Sequence, residues 1–152
     1  MIEWQLKRFE ELTTKLLFDV YQLRQQVFVL EQQCLYPDID SKDLRAIHLL
    51  GHDKKNDKLC AYMRIIEPLT DDNSVALGRI VTASAYRGTG LGKILLEEGI
   101  HLALQLHPGC NIKISAQAHL EKFYQQAHFV TCSEPYDEDG ISHIDMIRYP
   151  SK

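Results

Sequence analysis

The chain has 152 residues, 45% of them apolar and 25% charged, and a formal charge of -4. That length suits one domain, 1–152, which buries roughly 70% of the surface its unfolded chain exposes and needs no staples to fold. The charge balance argues against nucleic acid as a partner, because phosphate binding needs clustered Lys and Arg, and no run approaches the ~20 apolar residues of a membrane span.

Residues 1–8 hold no apolar leader segment. The four cysteines, Cys34, Cys60, Cys110 and Cys132, lie far apart and form no CxxC pair, so a zinc or redox motif has no support. Scattered thiols without a leader point to a reducing, cytoplasmic setting.

In chain order, residues 2–9 alternate loosely as a first strand. A helical stripe follows, Leu16, Val20, Leu23, Val27 and Leu30, with Thr13 or Thr14 as its cap, and it runs out near Glu31. Tyr36-Pro37-Asp38 reads as loop. Residues 46–52 and 59–66 are two strands around a charged turn, and 75–82 is a third strand after the turn at 68–74. A second stripe from Leu91 to Leu106 is an amphipathic helix stopped by His107-Pro108-Gly109. Residues 111–116 alternate as a strand, and 119–127 form a short helix. Strands at 129–133 and 143–149 flank the acidic turn Asp137-Glu138-Asp139-Gly140. Antiparallel strands followed by a βαβ crossover predict an α/β (mixed α+β) architecture, a mixed sheet covered by helices.

The informative segment joins the third of those hairpin strands to the second helix: Arg87-Gly88-Thr89-Gly90-Leu91-Gly92-Lys93. The first turn of a helix has unpaired N–H groups and the positive end of the dipole, so it receives an anion when glycines let the ligand approach the backbone. A Walker A loop fails here, because Arg87 stands where its first Gly belongs and Ile94 where Ser/Thr belongs. A Rossmann GxGxxG fails too, because Lys93 or Leu95 stands at its last Gly. Arg87, Gly90 and Gly92 do fit Arg/Gln-x-x-Gly-x-Gly/Ala, which resembles motif A of the GNAT acyltransferases. Leu23-Arg24-Gln25-Gln26-Val27-Phe28-Val29-Leu30-Glu31-Gln32 is similar to the first-helix signature of that family. With Tyr36-Pro37-Asp38-Ile39-Asp40, His48, Gln117-Ala118-His119 and Gly140-Ile141-Ser142-His143, it resembles the ElaA-type subgroup over nearly the whole chain.

The resemblance implies a mostly antiparallel sheet of six to seven strands, splayed between the fourth and fifth and flanked by about four helices. It implies acetyl-CoA or another acyl-CoA as co-substrate, no metal, and an amine acceptor; a homodimer is compatible with it. Ile80, Val81 and Thr82 would pair with pantetheine amides through their backbone. Arg87, Gly88, Thr89, Gly90, Leu91, Gly92 and Lys93 would hold the pyrophosphate. Phe123-Tyr124-Gln125-Gln126-Ala127-His128-Phe129 matches the family's Leu-Tyr-x-x-x-Gly-Phe and puts Tyr124 where the family keeps a general acid, with His128 in place of the usual Gly. Ala118 stands where many members carry a cofactor-binding Asn.

Aminolysis of a thioester needs a neutral amine, hence a base. The fourth strand, Val75-Ala76-Leu77-Gly78-Arg79-Ile80-Val81, has no carboxylate. The candidates are Glu31, Asp40, Glu67, His48 and His143, with Glu31 preferred because it ends the helix beside the acceptor cleft. Arg24, His48, Arg79 and His143 are assigned to the acceptor side. Cys34 and Cys132 have no partner His by spacing and are poor nucleophile candidates. The expected activity is direct transfer of an acetyl group from acetyl-CoA to a primary amine; the alternative is a CoA-binding sensor or scaffold that has lost transfer.

Overall fold

The alternating N-terminal segment forms strand β1 (Ile2–Arg8), the first of eight strands that the described residues form in a single mixed sheet. The computed structural model describes residues 1–151. Strands β2 (Ile47–Asp53), β3 (Lys58–Ile66) and β4 (Ser74–Thr82) continue the antiparallel pairing that β1 begins. The chain then crosses through a helix to β5 (Asn111–Gln117), which lies parallel to β4. Strand β8 (Ile141–Arg148) pairs antiparallel with β5, and both β6 (Val130–Thr131) and β7 (Tyr136–Glu138) pair with β8. Strand β7 adds to the expected count. The acidic turn is the tip of a two-residue hairpin, with Asp139 and Gly140 both at positive φ, as a type I′ turn requires.

Helix α1 (Thr14–Arg24) starts at Thr13, whose hydroxyl accepts from the Leu16 N–H at 3.1 Å. It passes into a π-helical segment, Gln25–Glu31. There the Gln32 N–H donates to Val27 O and the Cys34 N–H to Val29 O, five residues back. This wider winding breaks the sequence stripe. Val20, Leu23 and Val27 are buried, whereas Leu30 is 54% exposed. Helix α2 (Leu91–Leu106) matches the predicted stripe, with Leu95, Leu96, Ile100 and Ala103 buried. At Gly99 a Cβ would lie 2.7 Å from Met63 Cε, so the glycine lets α2 close onto β3. Helix α3 (Glu121–Gln125) is shorter than predicted and follows a 3-10 turn, Ala118–Leu120. A second 3-10 turn, Ser41–Leu44, and the π segment fill the place expected for a further helix.

Two cores result. One lies between the sheet and α2 with α3, and the other packs Val20, Leu23 and Val27 on Leu50, Tyr62 and Val81. Among the described residues no helix is long and apolar enough to cross a membrane.

The sheet opens where the resemblance placed the splay. Strands β4 and β5 pair only from Ser74↔Asn111 to Leu77↔Ile114. Just beyond, the β3–β4 register shifts between Tyr62 and Arg64, with one extra residue on β4. Arg79 there adopts φ +49°. A bulge bends its strand and sharpens its twist, and β4 thereby swings away from β5.

Candidate active site

The splay creates a cleft of about 1030 Å³ between the two halves of the sheet. On one side β4 continues as Gly78–Thr82 with its β3 edge paired and its β5 edge free. Backbone N–H and C=O groups on a free edge need partners, and Ile80, Val81 and Thr82 present theirs along the cleft wall. An extended ligand carrying amides fits that edge as a substitute strand.

At the end of β4 the chain turns through Ser84–Tyr86 into the glycine segment. Gly88 and Gly90 have φ of +78° and +84°, and a Cβ on either would meet nothing within 4 Å. They are needed for the backbone's left-handed turns, not for lack of room within the protein. Gly90 is the N-cap residue of α2 and no side chain caps the helix. The first α-helical bond is from the Ile94 N–H to Gly90 O, so the N–H groups of Leu91, Gly92 and Lys93 have no helical acceptor. Leu91 is buried, Gly92 lines the cleft, and Gly88, Thr89 and Lys93 are exposed beside it. This uncapped, glycine-lined helix end fits a pyrophosphate. Arg87 adds a guanidinium, whose Nη1 lies 2.7 Å from Glu31 Oε1. Glu31 lines the cleft, and this pair commits it to the end where the anion would sit.

Tyr124 projects from α3 into the same cleft. It is 6% exposed, and its rings of contact are Phe123 and Phe129, both edge-on. Burial alone pushes its phenol up to about 12, and no protein hydrogen bond to the hydroxyl is found among the described residues.

The far wall is built by β5, β7 and β8. Gln117 faces His143 and Ser115 faces Asp145 in the β5–β8 register. Ser115 Oγ contacts the Tyr136 hydroxyl, which donates to Asp145 Oδ1 at 2.6 Å. His143 is nearly buried, its Nδ1 lies 2.7 Å from the Ile141 carbonyl, and its Nε2 lies 3.5 Å from Glu138 Oε2. Cys34 and Cys132 also line the cleft, the first with its thiol 3.2 Å from Asp139 O.

Two residues expected on the acceptor side lie elsewhere. Arg24 is fully buried under the 38–43 loop: Nε meets Asp38 Oδ2 at 2.9 Å, Nη1 meets Asp43 Oδ1 at 2.9 Å, and Nη2 donates to Asp38 O at 2.7 Å. His48, 1% exposed, has Nε2 2.9 Å from Asp43 O and Nδ1 2.6 Å from the Tyr62 hydroxyl. A carbonyl only accepts, so Nε2 carries the proton and Nδ1 accepts from Tyr62. Burial pulls the His48 pKa down and favours this neutral form. Neither residue lines the cleft. Arg79 does, from beneath Tyr36, with its charge taken up by Asp38 and Asp40. Its Nε is 2.8 Å from Asp38 Oδ1, yet the N–H is not aimed at that oxygen, so the contact is one of charge. Of the other base candidates, Asp40 pairs with Arg64 and Arg79, and Glu67 pairs with Arg8 and His107 away from this cleft.

Residue-by-residue reading missed the Ser115–Tyr136–Asp145 chain and Glu138. Alternation in 111–117 and 141–148 puts Ser115, Gln117, His143 and Asp145 on one face, but their meeting depends on strand register.

The family profile described as "Acetyltransferase (GNAT) domain" matches residues 22–149. The chain is 42% identical over 150 residues to protein ElaA of Escherichia coli, covering 97% of each. The crystal structure of Escherichia coli ElaA superposes with TM-score 0.90 at 41% identity, covering 97% of this chain and 99% of that one. An acyl-CoA N-acyltransferase from Pseudomonas aeruginosa superposes with TM-score 0.91 at 39% identity and the same coverage.

Proposed function

Because this chain belongs to the GNAT acetyltransferase family, we propose that it transfers an acetyl group from acetyl-CoA directly to the primary amine of a small molecule or peptide. The observation that carries the reading is one cleft with an uncapped helix end at its rim and an unpartnered phenol inside it. The pyrophosphate lies on the N–H groups of residues 88–93, where Arg87 exchanges Glu31 for phosphate oxygen. The pantetheine arm extends β4 as a substitute strand along Ile80, Val81 and Thr82. The thioester then lies in the splay beside Tyr124.

The amine attacks the thioester carbon, the carbonyl π electrons move to oxygen, and collapse of the intermediate breaks the C–S bond. A phenol raised to about 12 stays protonated at any ordinary pH. Tyr124 hydrogen-bonds the departing sulfur and gives up its proton as the nitrogen's own proton replaces it. Free thiolate near pKa 8.5 is already a fair leaving group, so this acid contributes about 10²–10⁴-fold.

Thiol release from acetyl-CoA, followed with butylamine, 1,5-diaminopentane and a lysine peptide, tests the reading. Amine-dependent turnover supports it. CoA binding without turnover of any amine supports the sensor or scaffold alternative instead.

A further inference from the structure

His143 is held in one tautomer. Its Nδ1 lies 2.7 Å from the Ile141 carbonyl oxygen, which can only accept, so Nδ1 carries a proton in every state of the ring. In the neutral imidazole, Nε2 is therefore a lone pair. That lone pair stands 3.5 Å from Glu138 Oε2, another acceptor, and both residues line the cleft. Two acceptors facing each other repel unless a proton or a donor comes between them. A cation with several N–H groups satisfies both at once, and an alkylammonium is such a group. The stacked Tyr136 ring, 6.1 Å away at 26°, keeps the imidazole plane in place.

On the transfer reading above, we infer that His143 is the general base of the reaction and that Glu138 seats the acceptor as an ammonium ion. The ammonium enters against Glu138 and gives one N–H proton to Nε2. The nitrogen lone pair so released attacks the thioester carbon. A second proton leaves the nitrogen as the C–S bond breaks and makes good the one Tyr124 gives to sulfur. The net products are amide, free thiol and one proton, held first as imidazolium beside the Glu138 carboxylate and then lost to solvent.

The charged surroundings suit this role. On the β7 and β8 side His143 meets Glu138, Tyr136 and, two residues along its own strand, Asp145. Asp139 sits at the hairpin tip, and on β5 the residue in register is the uncharged Gln117. Across the cleft Glu31 is paired with Arg87, and Arg79 is neutralised by Asp38 and Asp40. Arg64, tied to Asp40 and Asp43, Lys113, 3.6 Å from Asp72, Lys42, which has no ion-pair partner among the described residues, and His119 also line the cleft.

The test uses the full chain, acetyl-CoA and the amine that the wild type turns over best among butylamine, 1,5-diaminopentane and a lysine peptide. His143→Gln should lower kcat by about 10²–10⁴-fold, abolish the low-pH limb of kcat/KM, and leave CoA affinity by calorimetry within a factor of about two, a difference of only ~0.4 kcal/mol. Glu138→Gln should chiefly raise the KM for the amine, by about tenfold, the loss of one hydrogen bond to a charged group. Unchanged turnover in His143→Gln, a retained low-pH limb, or a fall in CoA affinity in step with rate would overturn the inference while leaving the transfer reading standing. Absence of amine turnover by the wild type would overturn both.

Discussion

At the scale of single residues, Tyr124 is the group whose chemistry can be read most directly. Its ring packs edge-on against Phe123 and Phe129, its hydroxyl has no protein hydrogen bond among the described residues, and burial raises its pKa to about 12. An acid must be protonated to work, so raising its pKa keeps it competent further into alkali. Wild-type kcat should therefore show no alkaline fall up to about pH 10, two units below that value. Tyr124→Phe keeps the ring packing and removes the donor. It should lower kcat by about 10²–10⁴-fold with CoA affinity little changed, and the loss should shrink with a thioester of a more acidic thiol. A kcat that stays at wild-type level while the melting temperature drops would make Tyr124 a packing residue only.

Between elements, two ties hold the cleft's walls. The first joins the β2–β3 turn to the glycine segment. The Tyr86 hydroxyl donates to Asp53 Oδ2, Asn56 Nδ2 donates to the same oxygen at 2.8 Å, and Thr89 Oγ1 donates to Tyr86 O at 2.5 Å. The Tyr86 hydrogen bond is the chief reason the Asp53 pKa falls to about 2. A carboxylate lowered on folding stabilises the fold above its unfolded pKa of ~3.9 and loses that contribution as pH falls through the folded value. Tyr86→Phe should flatten the pH dependence of the urea midpoint between about pH 4 and pH 2, and it should weaken CoA binding by loosening the turn before α2. An acid-stability profile that matches wild type would refute this tie.

The second tie anchors the 38–43 loop. Asp43 accepts from Arg24 of α1 and Arg64 of β3, and its carbonyl accepts from His48 of β2. Burial would raise the Asp43 pKa, but hydrogen bonds and charge from Arg24 and Arg64 outweigh it and hold the pKa down. Removing one partner of a buried ion network leaves an uncompensated charge, which costs about 3–5 kcal/mol. Asp43→Ala should destabilise by that amount in urea unfolding; a loss under about 1 kcal/mol would mean that the pairs are worth no more than surface ones.

Taken whole, the molecule is two half-sheets joined along four β4–β5 residue pairs, Ser74↔Asn111 to Leu77↔Ile114, with the CoA site proposed in the gap between them. A ligand spanning that gap binds the folded state alone, and at a hundred times its Kd it adds about 2.7 kcal/mol of stability. CoA should raise the melting temperature by several degrees for a chain of this size. Gly90→Val places a β-branched residue at φ +84°, a strain of about 1–3 kcal/mol. Its Cβ meets no protein atom, so the fold should survive. Scanning calorimetry should find the variant folded but without the CoA-induced rise; a rise equal to wild type would remove the helix end from the binding site.

Local spacing was enough to place most of the elements and the glycine segment that opens α2, because both depend on neighbours a few residues apart. Helical and strand periodicities placed α2 at its observed bounds, and Arg87, Gly90 and Gly92 marked the helix end to which motif A corresponds. The tertiary structure alone decided which side chains meet across strands. His48 and Arg24 look as available in the sequence as His143, yet the loop that folds over them spends their donors on Asp38 and Asp43. Glu31 ends the first helix as expected, but the π winding and the turn after β4 bring it to Arg87, 56 residues away. The His143–Glu138 contact depends on a three-residue strand too short to show a period and on a hairpin whose register is set by the Asp139-Gly140 turn. Ionic and hydrogen-bond partners depend on distance in space, and a chain folded into a sheet brings together residues whose spacing in sequence carries no sign of it.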